Sequence, residues 1–345
     1  MTAPSEPTPA TDAVTGPATA PEPDTERPTI ARRLRAGAMQ NILLLGLIAL
    51  GLIFQLATGV FLNPANLRGI LLDSAVLLIV SIPAALLLIS GYVDLSIGSV
   101  VGLGGITTAM LLTQGVPTVV AILVALLACA IIGLLNATLI SVTKLSPLIV
   151  TLGTLSLAYG ITRGVSSLPL SDFPSDFRMI GGGAVAGIPI PIIISAVVAI
   201  IGWIFAAKVA AGRHVYAIGS NPAASYLSGL RVRLVPMTLY IIVAIFAGFG
   251  GIISASRLGS ASSGSLGVGF EITVLTALLL GGISFTGGSG SVVGVVIGVL
   301  FLGTLQNGLT LIGIPSFWQS IATGTVLILA AGLNYLNEKR RTSRR

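Results

Sequence analysis

Three carboxylates, Asp73, Asp94 and Glu271, stand in or beside long apolar runs of this 345-residue sequence. An acid inside a membrane is costly to keep, so it is a candidate for carrying a proton or cation during transport. Asp94 opens the stretch "DLSIGS", where a carboxylate also suits a helix start, facing free N–H groups and the positive end of the dipole. Glu271 opens an apolar run and Asp73 sits early in one. Capping and interfacial placement account for all three, and no acid lies unmistakably at the middle of a run. Ion coupling is weakened by this, though not removed.

The residues that would do covalent chemistry are missing. The only lysines are Lys144, Lys208 and Lys339, and none follows a glycine, so there is no phosphate-binding P-loop. One histidine, His214, excludes HExxH and most histidine-centred metal sites. A Ser–His–acid triad would have to use His214, which lies in a basic loop far in sequence from any acid. The single Cys129 allows no intrachain disulfide. The expectation is a chain that is not an enzyme and uses no cofactor or metal.

What these residues need is a scaffold, and composition names its kind. The chain is 54% hydrophobic and 8% charged, against roughly 25% charged in a soluble domain, and its mean hydropathy is +1.01. Apolar runs of about 20 residues, the length that crosses ~30 Å of hydrocarbon, recur at 38–61, 70–90, 95–113, 118–141, 147–163, 189–209, 234–256, 271–286, 289–306 and 317–336. The fold class expected is an all-α polytopic membrane protein of ten spans. Residues 1–37 read as a disordered cytoplasmic tail, 38–336 as the transmembrane domain and 337–345 as a basic cytoplasmic tail. The polar start and the long first apolar run argue against a signal peptide, and Glu6, Asp12, Glu22, Asp24 and Glu26 argue against a transit peptide.

With both ends cytoplasmic, that side collects Arg27, Arg32, Arg33, Arg35, Lys144, Lys208, Arg213, Arg231, Arg233, Lys339, Arg340, Arg341, Arg344 and Arg345. The other side holds Arg68, Arg163, Arg178 and Arg257. Fourteen against four, together all 18 basic residues, is a strong positive-inside asymmetry. The net charge of +7 therefore orients the chain in a lipid membrane and does not point to nucleic acid.

Two stretches echo each other: "LLLISGYVDLSIGSVVG" (86–102) and "LLLGGISFTGGSGSVVG" (278–294) align without gaps. An internal duplication is a common way to build a transport path. It marks Asp94, Ser96, Ser99, Ser284, Thr286, Gly290 and Gly294 as path or structural-motif residues, with the two segments expected to approach each other. Gly290, Gly294 and Gly298, like Gly98 and Gly102, are read as stripes for close helix packing.

The polar interruption "GRHVYAIGSNPAASYLSG" (212–229) holds a short helix: Asn221 as N-cap, Pro222 in the first turn, Gly229 past the end. The helix predicted is Pro222–Ser228. Ala224, Tyr226 and Leu227 give it an apolar side, while Gly212, Arg213 and Ser228 complete the loop. So short a helix is marginal alone in water, and it reads as a docking element for a cytoplasmic partner.

These stretches make the sequence recognisable: across roughly 40–336 it resembles the ribose-type (monosaccharide) permease subunits of bacterial ABC importers. "SGYVDLSIGS" looks like that family's Gly-x-x-Asp-Leu-Ser-x-Gly-Ser signature, "SPLIVTLGTLSLAYGITRG" (146–164) is similar to the span that follows, and "GGISFTGGSGSVVG" (281–294) matches its Gly-Gly-x-Ser-x-x-Gly-Gly-x-Gly block. The 212–229 stretch matches its cytoplasmic loop. The resemblance implies location in the bacterial plasma membrane, a separate ATPase subunit docked on that loop, an extracytoplasmic sugar-binding protein, and a second permease copy. It departs from the family at Pro222 and Ala223, where acids are common, at Tyr226, where Arg is common, and at Asn334, where an acid often closes the last span. The outer loops 163–188 and 257–270, with Arg163, Asp172, Asp176, Arg178 and Arg257, are expected to receive the binding protein by charge matching. The branched-chain amino-acid permeases are the nearest alternative, and a self-contained ion-coupled transporter is a more distant one.

Overall fold

The computed structural model describes residues 30–342 apart from 144 and 167, with side chains from 41 to 336; the predicted tail over 1–29 and residues 343–345 lie outside it. Contacts divide the chain into Met1–Ala38 and Met39–Arg345. The described part of the first is the opening of a helix, and the second is the helical body.

Ten apolar helices correspond to the ten predicted spans: α1 Ile30–Thr58, α2 Pro64–Ile89, α3 Ile97–Thr113, α4 Thr118–Thr143, α5 Pro147–Val165, then after a short α6 (Ser175–Gly182), α7 Ile190–Lys208. Two helices outside the spans follow, α8 Ala210–Ser220 and α9 Pro222–Leu227, then α10 Leu234–Leu258, α11 Phe270–Leu280, α12 Val292–Leu311 and α13 Ser316–Thr342. Eight of the ten are long and apolar enough to cross a membrane; α3 and α11 are shorter. The protein is thus an all-α, multi-pass membrane protein. Its β-structure, among the described residues, is two pairs of two-residue strands. β1 (Leu170–Ser171) pairs with β4 (Ser260–Ala261), and β2 (Ala184–Val185) with β3 (Ile188–Pro189).

Several boundaries differ from the sequence reading, α2 starting at Pro64 instead of 70 and α13 running to Thr342 instead of 336 among them, and three have a clear physical reason. α1 starts at Ile30, before the predicted 38, because Ala, Leu and Arg there are strong helix formers. α11 stops at Leu280 instead of 286, and α12 starts at Val292 instead of 289. Between them Gly282, Gly287, Gly288 and Gly290 take positive φ, which no helix continues through. At 1.5 Å per residue the 11 residues of α11 reach about 16 Å, half a bilayer.

α2 is the enclosed helix. Of its best membrane window 83% is buried, against 6% for α1 and 11% for α13. From Ser74 to Ile89 every residue is buried, so the apolar side chains there point in all directions with protein on all sides. α3 and α10 close on each other through backbone: a methyl on Gly104 would strike the Gly248 carbonyl, and one on Gly251 would strike Val101. Small faces at such crossings let helices approach where lipid gives no hydrophobic drive.

The crossing generates a contrast. Gly251→Ala should destabilise the detergent-purified protein by about 1–3 kcal/mol through overpacking. Gly69→Ala, in α2 where an added methyl meets nothing within 4 Å, should stabilise it by roughly 0.5–1 kcal/mol. Thermal unfolding followed by tryptophan fluorescence reads both, and equal behaviour of the two would contradict the packing described.

Candidate functional site

The echoed segments form two helix breaks. α2 ends at Ile89, Gly91 turns left-handed (φ 89°), and the N–H groups of Gly91 and Tyr92 bond back to Leu88 and Leu87. α11 repeats the device: Gly282 (φ 82°) and Ile283 bond back to Leu279 and Leu278. Both are Schellman ends, which satisfy the last carbonyls and need glycine at the left-handed position. The shared Leu triplet is therefore a shared helix ending. The copies then diverge: five residues, Gly91–Leu95, lead to Ser96 at the α3 start, whereas nine, Gly282–Gly290, lead to Ser291, whose hydroxyl caps Gly294 N.

The breaks meet. Gly288 N–H donates to the Ile89 carbonyl at 2.7 Å, and a methyl on Gly287 would lie 2.8 Å from Gly91 Cα. The contact is made just ahead of Asp94, by Ile89 and Gly91, rather than by Asp94–Ser99 themselves. α8 joins the same point. Gly219 lies so close that a side chain there would strike the Ile89 carbonyl and lie 2.6 Å from Gly288 N. Tyr216 Oη donates to Gly290 O (3.2 Å) and Ser220 Oγ to Gly288 O (3.3 Å). Ser284 and Thr286 lie in this loop with hydroxyls 3.0 Å apart.

Asp94 is buried, 7% exposed. Its Oδ1 accepts Ser96 N (2.8 Å) and Ser96 Oγ (2.6 Å), so it caps the turn entering α3 from two residues before the N-cap position. Ser96 Oγ in turn accepts from Asn136 Nδ2 (3.0 Å), and Asn136 Oδ1 accepts from Thr154 Oγ1 (2.8 Å). A buried polar chain thus runs from α5 through α4 to the break, and Ser99 donates to Ser96 O beside it (2.8 Å). Asn136 and Thr154 were missed by the sequence reading; a lone Asn inside the apolar 118–143 run was the available signal. Glu271 lines the same small cavity as Asp94, about 10 Å³, room for about one water. Its buried Oε2 has no hydrogen-bond partner among the described residues and lies against Gly98.

The glycine stripes pack as follows. Gly294 and Gly298 of α12 meet Ala277 of α11 and Gly281 just past its end, and Gly98 and Gly102 meet Gly267 and Leu266. Gly290 is not on the α12 face: it lies in the loop with φ 146°, because the helix starts two residues later.

In the 212–229 stretch, Asn221 Oδ1 accepts Ala224 N at 3.0 Å and Pro222 opens α9. The helix is one residue shorter than expected: Ser228 is its C-cap (φ −81°, ψ 9°), and Gly229 has φ 78°. Tyr226 and Leu227 are 69% and 86% exposed. α8 was not foreseen as a helix; it buries Gly212, Val215 and Ile218 and leaves Arg213 exposed.

At the opposite end of α10, β1 and β4 tie loop 163–188 to loop 257–270 in the register Leu170↔Ala261 and Ser171↔Ser260. Arg163, Asp172, Asp176 and Arg178 are exposed. The Thr118 hydroxyl bonded to Asp176 holds its carboxyl below the usual carboxylate range. Arg257 is half-buried and engaged: it pairs with Asp73 and donates to Leu72 O (3.1 Å). Among the described residues, no three His, Cys, Asp or Glu groups gather to hold a metal.

Removing the middle of the polar chain should be costly. Asn136→Leu leaves Ser96 and Thr154 without their shared partner, and unfolding measurements should show a loss of about 1–3 kcal/mol. No loss would mean that the chain is not structural.

A family model described as "Branched-chain amino acid transport system / permease component" matches residues 66–331. The galactose/methyl galactoside import permease protein of Escherichia coli (strain K12) is 36% identical over 328 residues, covering 89% of this chain and 96% of its own. The ribose import permease protein of Bacillus subtilis (strain 168) is 34% identical, covering 86% and 94%. The D-allose transport system permease protein of Escherichia coli (strain K12) is 34% identical, covering 81% and 86%. No solved structure matches this chain. The helical body, the two joined breaks and these matches agree: the chain belongs to this family of ABC-importer permease subunits, among relatives that are sugar import permeases.

Proposed function

We propose that this chain is the membrane-spanning subunit of an ATP-driven importer of a monosaccharide, coupled through α9 to a separate ATPase and served outside by a sugar-binding protein. The observation that carries the coupling is the junction of Gly219, Ile89 and Gly288. α9 is joined to α8 by the single residue Asn221, and α8 lies against both helix breaks with no side chain between. A push on exposed Tyr226 and Leu227 therefore reaches the breaks through backbone contact, with little side-chain freedom to absorb it. The sugar reading rests on relatives named for galactose, ribose and D-allose. The family model's own description favours a second reading, a branched-chain amino acid.

The 14-to-4 division of basic residues supports placing α8–α9 in the cytoplasm and the β1–β4 loops outside. There the exposed charges of Arg163, Asp172, Asp176 and Arg178 would meet the binding protein, while Arg257 holds α10 to α2. A second copy is supported by α5. Gly153, Gly160 and Gly164 face open space, with nothing within 4 Å of an added methyl, unlike the packed glycines of α3, α10 and α12. Small residues left bare on a membrane helix suit a further helix.

Leu227→Asp should abolish sugar uptake and ATPase co-purification while the permease stays folded. Gly219→Val should leave the ATPase bound but stop uptake, because its block lies beyond the docking surface. Uptake surviving both substitutions would refute the coupling route.

Orientation has a separate test. With Cys129→Ser as background, Asp172→Cys should react with an impermeant thiol reagent in intact cells, and Leu227→Cys only after lysis. The reverse pattern would invert the topology.

A further inference from the structure

A second, larger cavity of about 340 Å³ lies between the end of α4, the start of α5 and the first two turns of α10. Its size is that of a small-molecule site. Tyr92 and Tyr240 form its inner end, their rings edge to face at 6.3 Å. Ser141, Pro147 and Met237 line it, and Arg233 stands at its rim. The rim is thus on the α8–α9 side of the protein, since Arg233 lies only five residues after Ser228.

The polar groups of this cavity are unspent. Among the described residues, the Arg233 guanidinium, the Tyr92 hydroxyl and the Ser141 hydroxyl have no hydrogen-bond or ion-pair partner. The neighbouring hydroxyls of Thr143, Thr151 and Thr154, by contrast, all bond the preceding turn. Tyr240 is the exception, donating to Val93 O at 2.9 Å. Among the described residues, no carboxylate lines the cavity. Asp94 lines the smaller cavity, which shares Tyr92 with this one. Among the described residues the cavity therefore offers hydroxyl donors and the Arg233 cation at the rim, with aromatic and apolar walls within. That gradient sets a ligand's direction: an anionic head at Arg233 and an uncharged body towards Tyr92 and Tyr240.

We propose that this cavity binds a phosphate-bearing ligand, its phosphate on Arg233 and its neutral part between Ser141 and the two tyrosines. Arginine suits phosphate because its planar donors meet phosphate oxygens in pairs. Two sources share this chemistry: the head of an anionic membrane phospholipid, and a soluble phosphorylated sugar on the side to which sugar is delivered. Either would occupy the element that follows α9, and so would report to the docking helix. The side of the membrane is taken from the proposed function; the binding itself does not depend on it.

The test is binding to the full-length permease purified in detergent, with no transport readout. Native mass spectrometry with added phosphatidylglycerol examines the lipid source. Thermal unfolding with glucose 6-phosphate, set against glucose, examines the soluble one. At least one probe should bind. Arg233→Gln should weaken it about tenfold or more, Ser141→Trp should block it by filling the cavity, and Arg231→Gln, which does not line the cavity, should leave it unchanged. A retained phosphatidylglycerol adduct assigns the lipid source, and a shift with glucose 6-phosphate alone assigns the soluble one. If neither probe binds, or if Arg233→Gln and Ser141→Trp bind as the wild type does, the proposal is wrong. Size-exclusion profiles confirm that each variant is folded. Because sugar uptake is not measured, a failure here leaves the transport reading standing, and a failure of that reading leaves this site standing.

Discussion

The bond from Gly288 N–H to the Ile89 carbonyl is the interaction on which the rest of the interior depends. Backbone inside a bilayer has no water to satisfy it, so irregular segments persist only where protein supplies the partners. α2 and α11 both stop without reaching another helix directly. Each first satisfies its own last carbonyls with a glycine-dependent ending, and each then uses the other break as its neighbour. Neither break could persist at depth alone.

The same constraint explains why the region is crowded with glycine and with short polar side chains. Where Gly219, Gly287 and Gly288 pass one another, backbone approaches backbone and a methyl group has no room. On the α3 side the space is filled instead by the Asp94–Ser96–Asn136–Thr154 chain, which anchors the break to α4 and α5. One side of the junction is thus held by close contact and the other by directed bonds. α8 adds the third contact and continues into α9, whose apolar tip is left uncovered.

At the other end of the helices the ties are of a different kind. Two-residue strand pairs, one hydrogen bond from Gly181 N to Ser256 Oγ at 2.8 Å, and the Arg257–Asp73 pair hold the loops. That pair is partly exposed, and such ion pairs contribute only ~0–1 kcal/mol. These loops are held in place more by chain geometry than by charge, which leaves four of their charged residues facing outward.

The sequence by itself determined the membrane class, the ten apolar helices, the cap at Asn221 and the family, because run length, turn residues and local motifs are all short-range properties. Asn221, Pro222 and Gly229 act within a few residues of themselves, so their roles were legible before any fold. The length of α11 was not, since apolar residues in 281–286 look helical until glycine backbone angles are known. The echo of 86–102 in 278–294 marked two related segments, but its gapless alignment concealed that one break is four residues longer than the other. Only the tertiary structure decided that α8 meets both breaks, that Asn136 bonds the Ser96 that donates to Asp94, and that Arg257 is engaged by Asp73. These are contacts between residues 40 to 184 positions apart, and such pairings arise from packing, which no local pattern encodes.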